Sequence, residues 1–423
     1  MLEKVSEGRK MKYLLVIGAG ENQVPIIRTA KSLGCYVYVV TIFGDYPGIY
    51  IADEWIERDI FDKEGIVSIF ADGNKPIDGV ISDQSDMAAP IVAFIAEKLN
   101  LPTWGYKNSL FFTDKDLMRE LLEHIGLPVP KYKKVVSSED AIKVASKIGY
   151  PIVIKPTNSF SSRGITKVRK EEDIANAYEL AFENSRTHEV VLEKYISGKQ
   201  FFSQGFVSDF KLNLFAFSDR YYYDLSDVFI PYTNAFPAII DYNLKRRMVS
   251  DFQKIIHELK PRFGHVWAEW ILDDVSGELY IVEIAIRGGG AHVTTELIPL
   301  AYGIDTQPLL VREALGENTH FYDFSRFDNK SAAFYSFLLP KGKILSVEGV
   351  DRIKSINGVV CSDIKEMKIG SYTEDIKDKR SRYGLVVVKG KDRKEIDSIW
   401  KMLKKTVNIQ VETPEGIKGP IWE

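Results

Sequence analysis

Two hydrophobic periods alternate along the first quarter of this chain. Tyr13-Leu14-Leu15-Val16-Ile17 is continuously apolar, the signature of a strand covered on both faces. After the turn Gly18-Ala19-Gly20 the period lengthens to that of a helix over residues 24–33, and a second apolar strand follows at 36–40. A strand at 79–82 and a helix at 88–99 continue the alternation. This order predicts an open parallel sheet flanked by helices.

From about residue 111 the pattern becomes α+β. Residues 114–124 read as an amphipathic helix that stops at Gly126-Leu127-Pro128-Val129-Pro130, where proline forbids continuation. Residues 151–156 read as a buried strand, 171–184 as a helix and 189–193 as a further strand. Beyond residue 200 the least regular part, Asp219-Arg220-Tyr221-Tyr222-Tyr223-Asp224 through to Phe236-Pro237, is tyrosine-rich and broken by prolines. Such a segment serves either as a substrate wall or as an aromatic surface packed on its own sheet.

The chemistry concentrates later. Glu269, within Ala268-Glu269-Trp270, and Glu283, within Val282-Glu283-Ile284, flank the hairpin-like Asp273-Asp274-Val275-Ser276-Gly277. Two carboxylates on adjoining strands can point at one site, and hard oxygen ligands suit Mg²⁺, which is usually held by one or two carboxylates while substrate phosphates complete its octahedron. The pair therefore asks for a nucleotide. It leads into Arg287-Gly288-Gly289-Gly290, with His292 beside the glycines. His265 and Trp267 alternate in phase with Glu269, and a histidine so placed is read as hydrogen-bonded structure rather than catalyst.

Phosphate-binding candidates lie upstream. Pro151-Ile152-Val153-Ile154-Lys155-Pro156 carries a lysine near its end and opens into Thr157-Asn158-Ser159-Phe160-Ser161-Ser162-Arg163-Gly164, a short polar loop able to aim backbone N–H groups at oxyanions. It is not a Walker loop, because the glycine spacing differs and no Gly-Lys-Ser/Thr occurs. Val190 to Gln200, with Glu193-Lys194-Tyr195-Ile196 inside it, is an apolar strand running into a glycine-broken segment that could line an adenine pocket. Lys115 stands in the first turn of its predicted helix, against the helix dipole, a local cost that favours a ligand role.

Taken in order, Thr113-Asp114-Lys115, Ile154-Lys155-Pro156, Ser161-Ser162-Arg163-Gly164, Glu193-Lys194-Tyr195-Ile196, Glu269 and Glu283 resemble the ATP-grasp superfamily over about residues 11–316. Residues 331–411, with Pro340-Lys341-Gly342-Lys343-Ile344 and Ser381-Arg382-Tyr383-Gly384, resemble the closing domain of its carboxylate–amine ligase branch, which includes the L-amino-acid ligases. The resemblance implies an α/β and α+β chain. Its units would be a flexible extension (1–10), a Rossmann-like domain (11–110), a small lid domain (111–199), a catalytic domain (200–325) and a ligase-type α+β domain (326–423).

It also implies roles. Lys115 and Lys155 would contact the α- and β-phosphates of ATP, and Ser161, Ser162 and Gly164 would close over the phosphates. Glu193, Lys194, Tyr195 and Ile196 would hold adenine, Gln200 would stand at the ribose where a glutamate is common, and Glu269 and Glu283 would carry Mg²⁺ or Mn²⁺. Arg287 would stabilise the oxyanion and departing phosphate when an amine attacks an acyl phosphate, with His292 and Gly289 as further substrate contacts. Where an asparagine often follows the second metal glutamate, this chain has Ala285. The expected substrates are a small carboxylate and an amine, and the branch allows a homodimer.

Composition narrows the alternatives. The 423 residues exceed one typical domain, 45% are hydrophobic and 27% charged, and the net charge of −3 gives no basic field for nucleic acid. Cys35 and Cys361 form neither a metal motif nor a disulfide framework, which fits a reducing cytoplasm. No apolar run reaches membrane-spanning length. An NAD site on the opening βαβ is the rival reading, weakened because Val40 is followed by Thr41-Ile42-Phe43 and not by the acidic residue that would hold ribose. Within the superfamily a carboxylase acting through carboxyphosphate remains, without a biotin-carrying Met-Lys-Met, as does a non-catalytic nucleotide-binding module.

Overall fold

The computed structural model describes residues 11–73, 75–159, 162–225, 228–319 and 330–423, and of Leu214 the backbone alone. The expected extension 1–10, Ser161 and the boundary expected between 325 and 326 lie outside the described residues. The described residues form four sheets.

The first sheet follows from its apolar runs. Strands β1 (Tyr13–Ile17), β2 (Tyr36–Thr41), β3 (Glu54–Glu57) and β4 (Gly79–Ile81) pair in parallel in the order β3-β2-β1-β4. Helices Val24–Ser32 and Ala88–Lys98 bury Ile26, Ile27, Ile91, Val92 and Ile95 against it. Gly18 turns β1 into its helix with φ +92°, a conformation that L residues avoid.

The lid sheet combines β5 (Tyr132–Val135), β6 (Ile152–Pro156), β7 (Thr166–Val168) and β8 (Val190–Lys194), all antiparallel, in the order β5-β8-β6-β7. Helices Ser138–Ile148 and Ile174–Glu183 cover one face, and Ile152, Ile154, Val168, Ile174, Val190 and Leu192 form its separate core. Asp114 caps the helix Lys115–His124 by accepting from the N–H groups of Asp116 and Leu117, which fixes where Lys115 begins the helix.

Strands β9 (Gly198–Ser208), β10 (Lys211–Tyr222), β11 (Pro231–Phe236), β12 (Gly264–Asp273) and β13 (Leu279–Ala285) continue the chain, followed by β14 (Ser331–Phe337), β15 (Gly342–Glu348), β16 (Val359–Ile364), β17 (Tyr372–Thr373), β18 (Gly384–Gly390), β19 (Asn408–Thr413) and β20 (Gly416–Lys418). Eight of these form one sheet, β13-β12-β9-β10-β11-β14-β18-β16, which runs from the hairpin of the two glutamates into the C-terminal region. The small sheet β17-β15-β19-β20 lies beyond it, and the helix Arg393–Thr406 packs Ile396, Ile399, Trp400 and Leu403 into that last core. The largest core is shared between the first sheet and the central sheet, and Trp104 meets Phe263 edge-on at 5.7 Å within it.

Candidate functional site

Register places the two glutamates. Glu269 on β12 is the antiparallel partner of Glu283 on β13, with a bulge between Glu269 and Trp270 that re-aims the strand just there. Each carboxylate meets a different cation: Arg220 Nη2 lies 2.9 Å from Glu269 Oε1, and Lys115 Nζ lies 3.1 Å from Glu283 Oε1. Burial would raise the Glu283 pKa, but Lys115 and Lys379 outweigh it and hold the carboxyl down at about 2. Two carboxylates side by side are a donor set that fits a hard divalent cation.

A cleft between the lid sheet and the central sheet gathers most of the sequence candidates. Lys115, Lys155, Ser162, Glu193, Lys194, Tyr195, Ile196, Gln200, Glu269 and Glu283 all line it. Inside it Glu193 is the hub. Arg119 grips it with both ends of its fork, Nε to Oε1 at 2.9 Å and Nη2 to Oε2 at 3.1 Å, and Lys155 Nζ donates to Oε2 at 2.7 Å. Arg119 also donates to the carbonyls of Ile281 and Val282, tying the lid to β13. Burial would push the Glu193 carboxyl up, yet these two cations hold it at about 2. Lys155 shares that one carboxylate with Arg119, so burial, despite Glu193, brings it down to about 8.

Other candidates are held by backbone. Lys194 donates its ammonium to the carbonyls of Gly149 and Tyr150, and Lys167 Nζ stands 3.6 Å from the centre of the Tyr195 ring. Gly164 stands behind the loop with φ +71°, where a Cβ would meet Asn184 Cβ at 2.8 Å. Gln200 pairs in register with Ile271 and Arg220. Ala285 is buried opposite Trp267 and offers no ligand.

A second cavity adjoins the first, and Glu269, Glu283 and Lys379 line both. Its other walls include Arg287, Gly289, Arg220, Asn234 and Arg382, with Asn22, Gln23 and residues 84–87 from the first domain. Arg287 lies in this cavity with its fork engaged: Nε and Nη2 each meet Asp86 at 2.5 Å, and Nη1 donates to the Gly288 carbonyl at 2.8 Å. The neighbouring glycine loop is clamped as well. Asp83 accepts from Gly288 N at 2.6 Å, and Gln204 accepts from Gly289 N at 2.9 Å.

Both histidines point elsewhere. His265 is buried between Asp83 at 3.1 Å and Thr306 at 2.7 Å, the hydrogen-bonded structural position expected of it. His292, expected as a substrate contact, turns away from the cavity that its neighbours Ala291 and Val293 line and meets Asp363 at 2.5 Å. The reason is local: Ala291 and His292 have φ of 53° and 61°, a left-handed pair that swings the ring toward β16.

Sequence reasoning missed Arg119, Asp86 and Lys379. Arg119 reads as one charge on a polar helix face, and Asp86 as a loop residue. The aromatic segment was a usable signal, since Tyr222 and Phe229 line the first cavity and Arg220, Pro231 and Asn234 the second. Lys379 sits just before Ser381-Arg382-Tyr383-Gly384, which the sequence did mark.

Residues 114–319 match the family described as carbamoyl-phosphate synthase L chain, ATP binding domain, and residues 336–412 match L-amino acid ligase C-terminal domain 2. A formate-dependent phosphoribosylglycinamide formyltransferase from Prochlorococcus marinus is 27% identical over 188 residues, 44% of this chain and 48% of that protein. The chain thus spans about half the length of the curated relatives it matches. The fold aligns with L-amino acid ligase from Bacillus licheniformis at a TM-score of 0.80 and 20% identity, over 96% of this chain and all of the other. It aligns with the biotin carboxylase domain of 2-oxoglutarate carboxylase from Hydrogenobacter thermophilus, solved with MgADP and bicarbonate, at 0.71 and 20%, over 97% and 92%. Residues 114–319 thus carry an ATP-binding domain of the ATP-grasp kind, and residues 336–412 a domain of the L-amino acid ligase type.

Proposed function

We propose that this protein is an ATP-dependent carboxylate–amine ligase that forms an amide bond through an acyl phosphate and releases ADP and phosphate. One observation carries the reading: Glu269 and Glu283 stand on the wall common to a cleft lined by Lys115 and Lys155 and a cavity lined by Arg287. A γ-phosphoryl group held in the first can meet a carboxylate held in the second at that wall.

The residues divide the work. Lys115 and Lys155 receive the phosphates of ATP, with Ser162 on the loop above and Tyr195, Ile196 and Gln200 beside the nucleoside. Glu269 and Glu283 hold Mg²⁺, or Mn²⁺ through the same oxygens; bound there, the cation neutralises charge that develops on the phosphates. A carboxylate is a poor acyl donor because its leaving group would be oxide. Phosphorylated, it accepts the amine lone pair at the acyl carbon; the bond to the phosphate oxygen breaks with its electron pair on phosphate, and the nitrogen loses a proton. Arg287, oriented by Asp86, directs its remaining N–H groups at the oxyanion and the departing phosphate.

A screen of pooled small carboxylates and amines tests the proposal by nucleotide product. ADP and phosphate released only when both pools are present support it. Turnover that needs bicarbonate instead would favour a carboxylase, and the absence of any turnover a binding module. Cytoplasmic residence and a homodimer belong to the same reading, the latter measurable by sedimentation; no helix among the described residues is long and apolar enough to cross a membrane.

A further inference from the structure

A run of three glycines has no side chains with which to hold its own backbone, yet Gly288-Gly289-Gly290 follows directly on Arg287. Support has to come from outside the run. The peptide between Arg287 and Gly288 is held at its N–H by Asp83, whose other oxygen accepts from Gln307 Nε2 at 2.6 Å. The peptide between Gly288 and Gly289 is held at its N–H by Gln204 Oε1, which also accepts from Thr294 Oγ1 at 2.8 Å. A peptide unit is planar, so fixing the Gly289 N–H also fixes the Gly288 carbonyl at the other end of the same plane. That carbonyl accepts from Arg287 Nη1.

The two glutamines are built in alike. Gln204 is 0% and Gln307 4% exposed, and each uses one end of its amide on this support. The other ends, Gln204 Nε2 and Gln307 Oε1, are buried without a hydrogen-bond partner among the described residues. Neither amide can turn round, because reversal would set the Gln204 NH₂ against the Gly289 N–H and the Gln307 oxygen against the Asp83 carboxylate. An unpaired buried polar atom is destabilising, so a pair of them behind one loop fits contacts kept for function. The approach is also close: a Cβ at Gly289 would meet Phe202 Cζ and Val293 Cγ1 at 2.9 Å and Gln204 Oε1 at 3.1 Å. Gln204 stands on β9 opposite Trp267, and the Arg287 guanidinium carbon lies 4.9 Å from the centre of the Trp267 ring.

We propose, building on the ligase reading, that Gln204 and Gln307 are positioning residues of amide formation: Gln204 through the Gly288–Gly289 peptide, and Gln307 through Asp83, set the direction in which Arg287 presents its remaining N–H groups to the acyl oxygen. Neither glutamine lines the nucleotide cleft or the second cavity. Both therefore act on the step in which the amine attacks, and not on the binding of ATP.

The experiment measures kcat and KM for the coupled reaction, with product read by mass, in a double-mutant cycle of Gln204→Leu against Arg287→Ala. Alone, Gln204→Leu should lower kcat by about 10²-fold, the order expected when a reacting group is misplaced, and leave the KM for ATP within about threefold. With Arg287→Ala already present, the same change should cost less than about threefold, because the side chain it acts on is gone. Gln204→Glu keeps the acceptor oxygens and should retain at least about a tenth of wild-type kcat, and Gln307→Leu should lose about tenfold. Thr294→Val deletes only the hydroxyl that donates to Gln204, and it replaces Gln204→Leu in the cycle if circular dichroism shows that variant unfolded. It should lower kcat by about tenfold, with Thr294→Ser restoring it and with little effect in Arg287→Ala. An unchanged kcat in Gln204→Leu, a loss of the same size with and without Arg287, or wild-type kcat in Arg287→Ala would each overturn the positioning role and leave the ligase reading intact. Wild-type protein that couples no carboxylate to any amine would instead remove the ligase reading, and this role with it.

Discussion

Glu269 and Glu283 are register partners on β12 and β13, yet each is bound to a cation from a different part of the chain, Arg220 from β10 and Lys115 from the helix that opens the lid region. The hairpin alone aims the two carboxylates together. The surrounding cations keep both oxygens pairs in one place before any phosphate arrives, which is preorganisation rather than induced assembly.

Replacing Glu283 with glutamine keeps its shape and removes its charge. Phosphate release at saturating magnesium should fall by at least about 10²-fold, as expected when one charged contact to a phosphoryl transition state is lost. Circular dichroism should be unchanged, because the Glu283 side chain is 30% exposed at the cavity wall. Near wild-type phosphate release would contradict the proposed metal role.

Arg119→Met should act on stability. Arg119 is 2% exposed and joins Glu193 to the carbonyls of Ile281 and Val282, so its loss leaves a buried carboxylate with Lys155 as its sole remaining cation among the described residues and two carbonyls with a partner removed. Breaking a buried pair in this way costs about 3–5 kcal/mol. The urea midpoint measures it, and an unchanged midpoint would contradict the central place given to Glu193.

Proton uptake reports on the nucleotide cleft. Lys155 is brought down from 10.5 to about 8, so between about 8 and 10.5 the folded protein binds fewer protons here than the unfolded chain, and this group's contribution to stability rises with pH across that window. Polyphosphate beside it restores the charged form. ATP binding at pH 9 should therefore take up a proton, and affinity should weaken as pH rises above about 8. Calorimetry in buffers of different ionisation enthalpy reads the uptake. Binding at pH 9 without proton uptake would contradict the placement of phosphate beside Lys155.

Local pattern made much of this legible. The continuous apolar run at Leu14 to Ile17, the capping Asp114 and the turn residues between Asp273 and Gly277 each act on their neighbours, so the sequence shows them directly. The ion pairs of Arg119 and Arg220 were hidden for the opposite reason. Their partners Glu193 and Glu269 are brought to them by folding, and a charge destined for burial looks no different in sequence from one bathed in water. His292 illustrates a third case: its neighbours do line the cavity, but a left-handed backbone turns its ring to Asp363, which adjacency to a glycine run does not reveal.

Gly288→Ala should separate positioning from binding. A Cβ there would stand 2.8 Å from the Asp83 carboxylate oxygens and 2.7 Å from Thr294 Oγ1, so the loop must move and carry Arg287 with it. Displacement of this order can cost about 10²-fold in turnover. The KM for ATP should change far less than kcat, and equal effects on both would argue against a role confined to the second cavity.

The most direct measurement is the trapping of the activated carboxylate. With ATP, magnesium and a cognate carboxylate, hydroxylamine should yield the hydroxamate while ADP and phosphate accumulate, because transfer of the γ-phosphoryl group leaves a nucleoside diphosphate. Hydroxamate formed with AMP and pyrophosphate as the sole nucleotide products would show that the carboxylate is adenylated and would contradict the account.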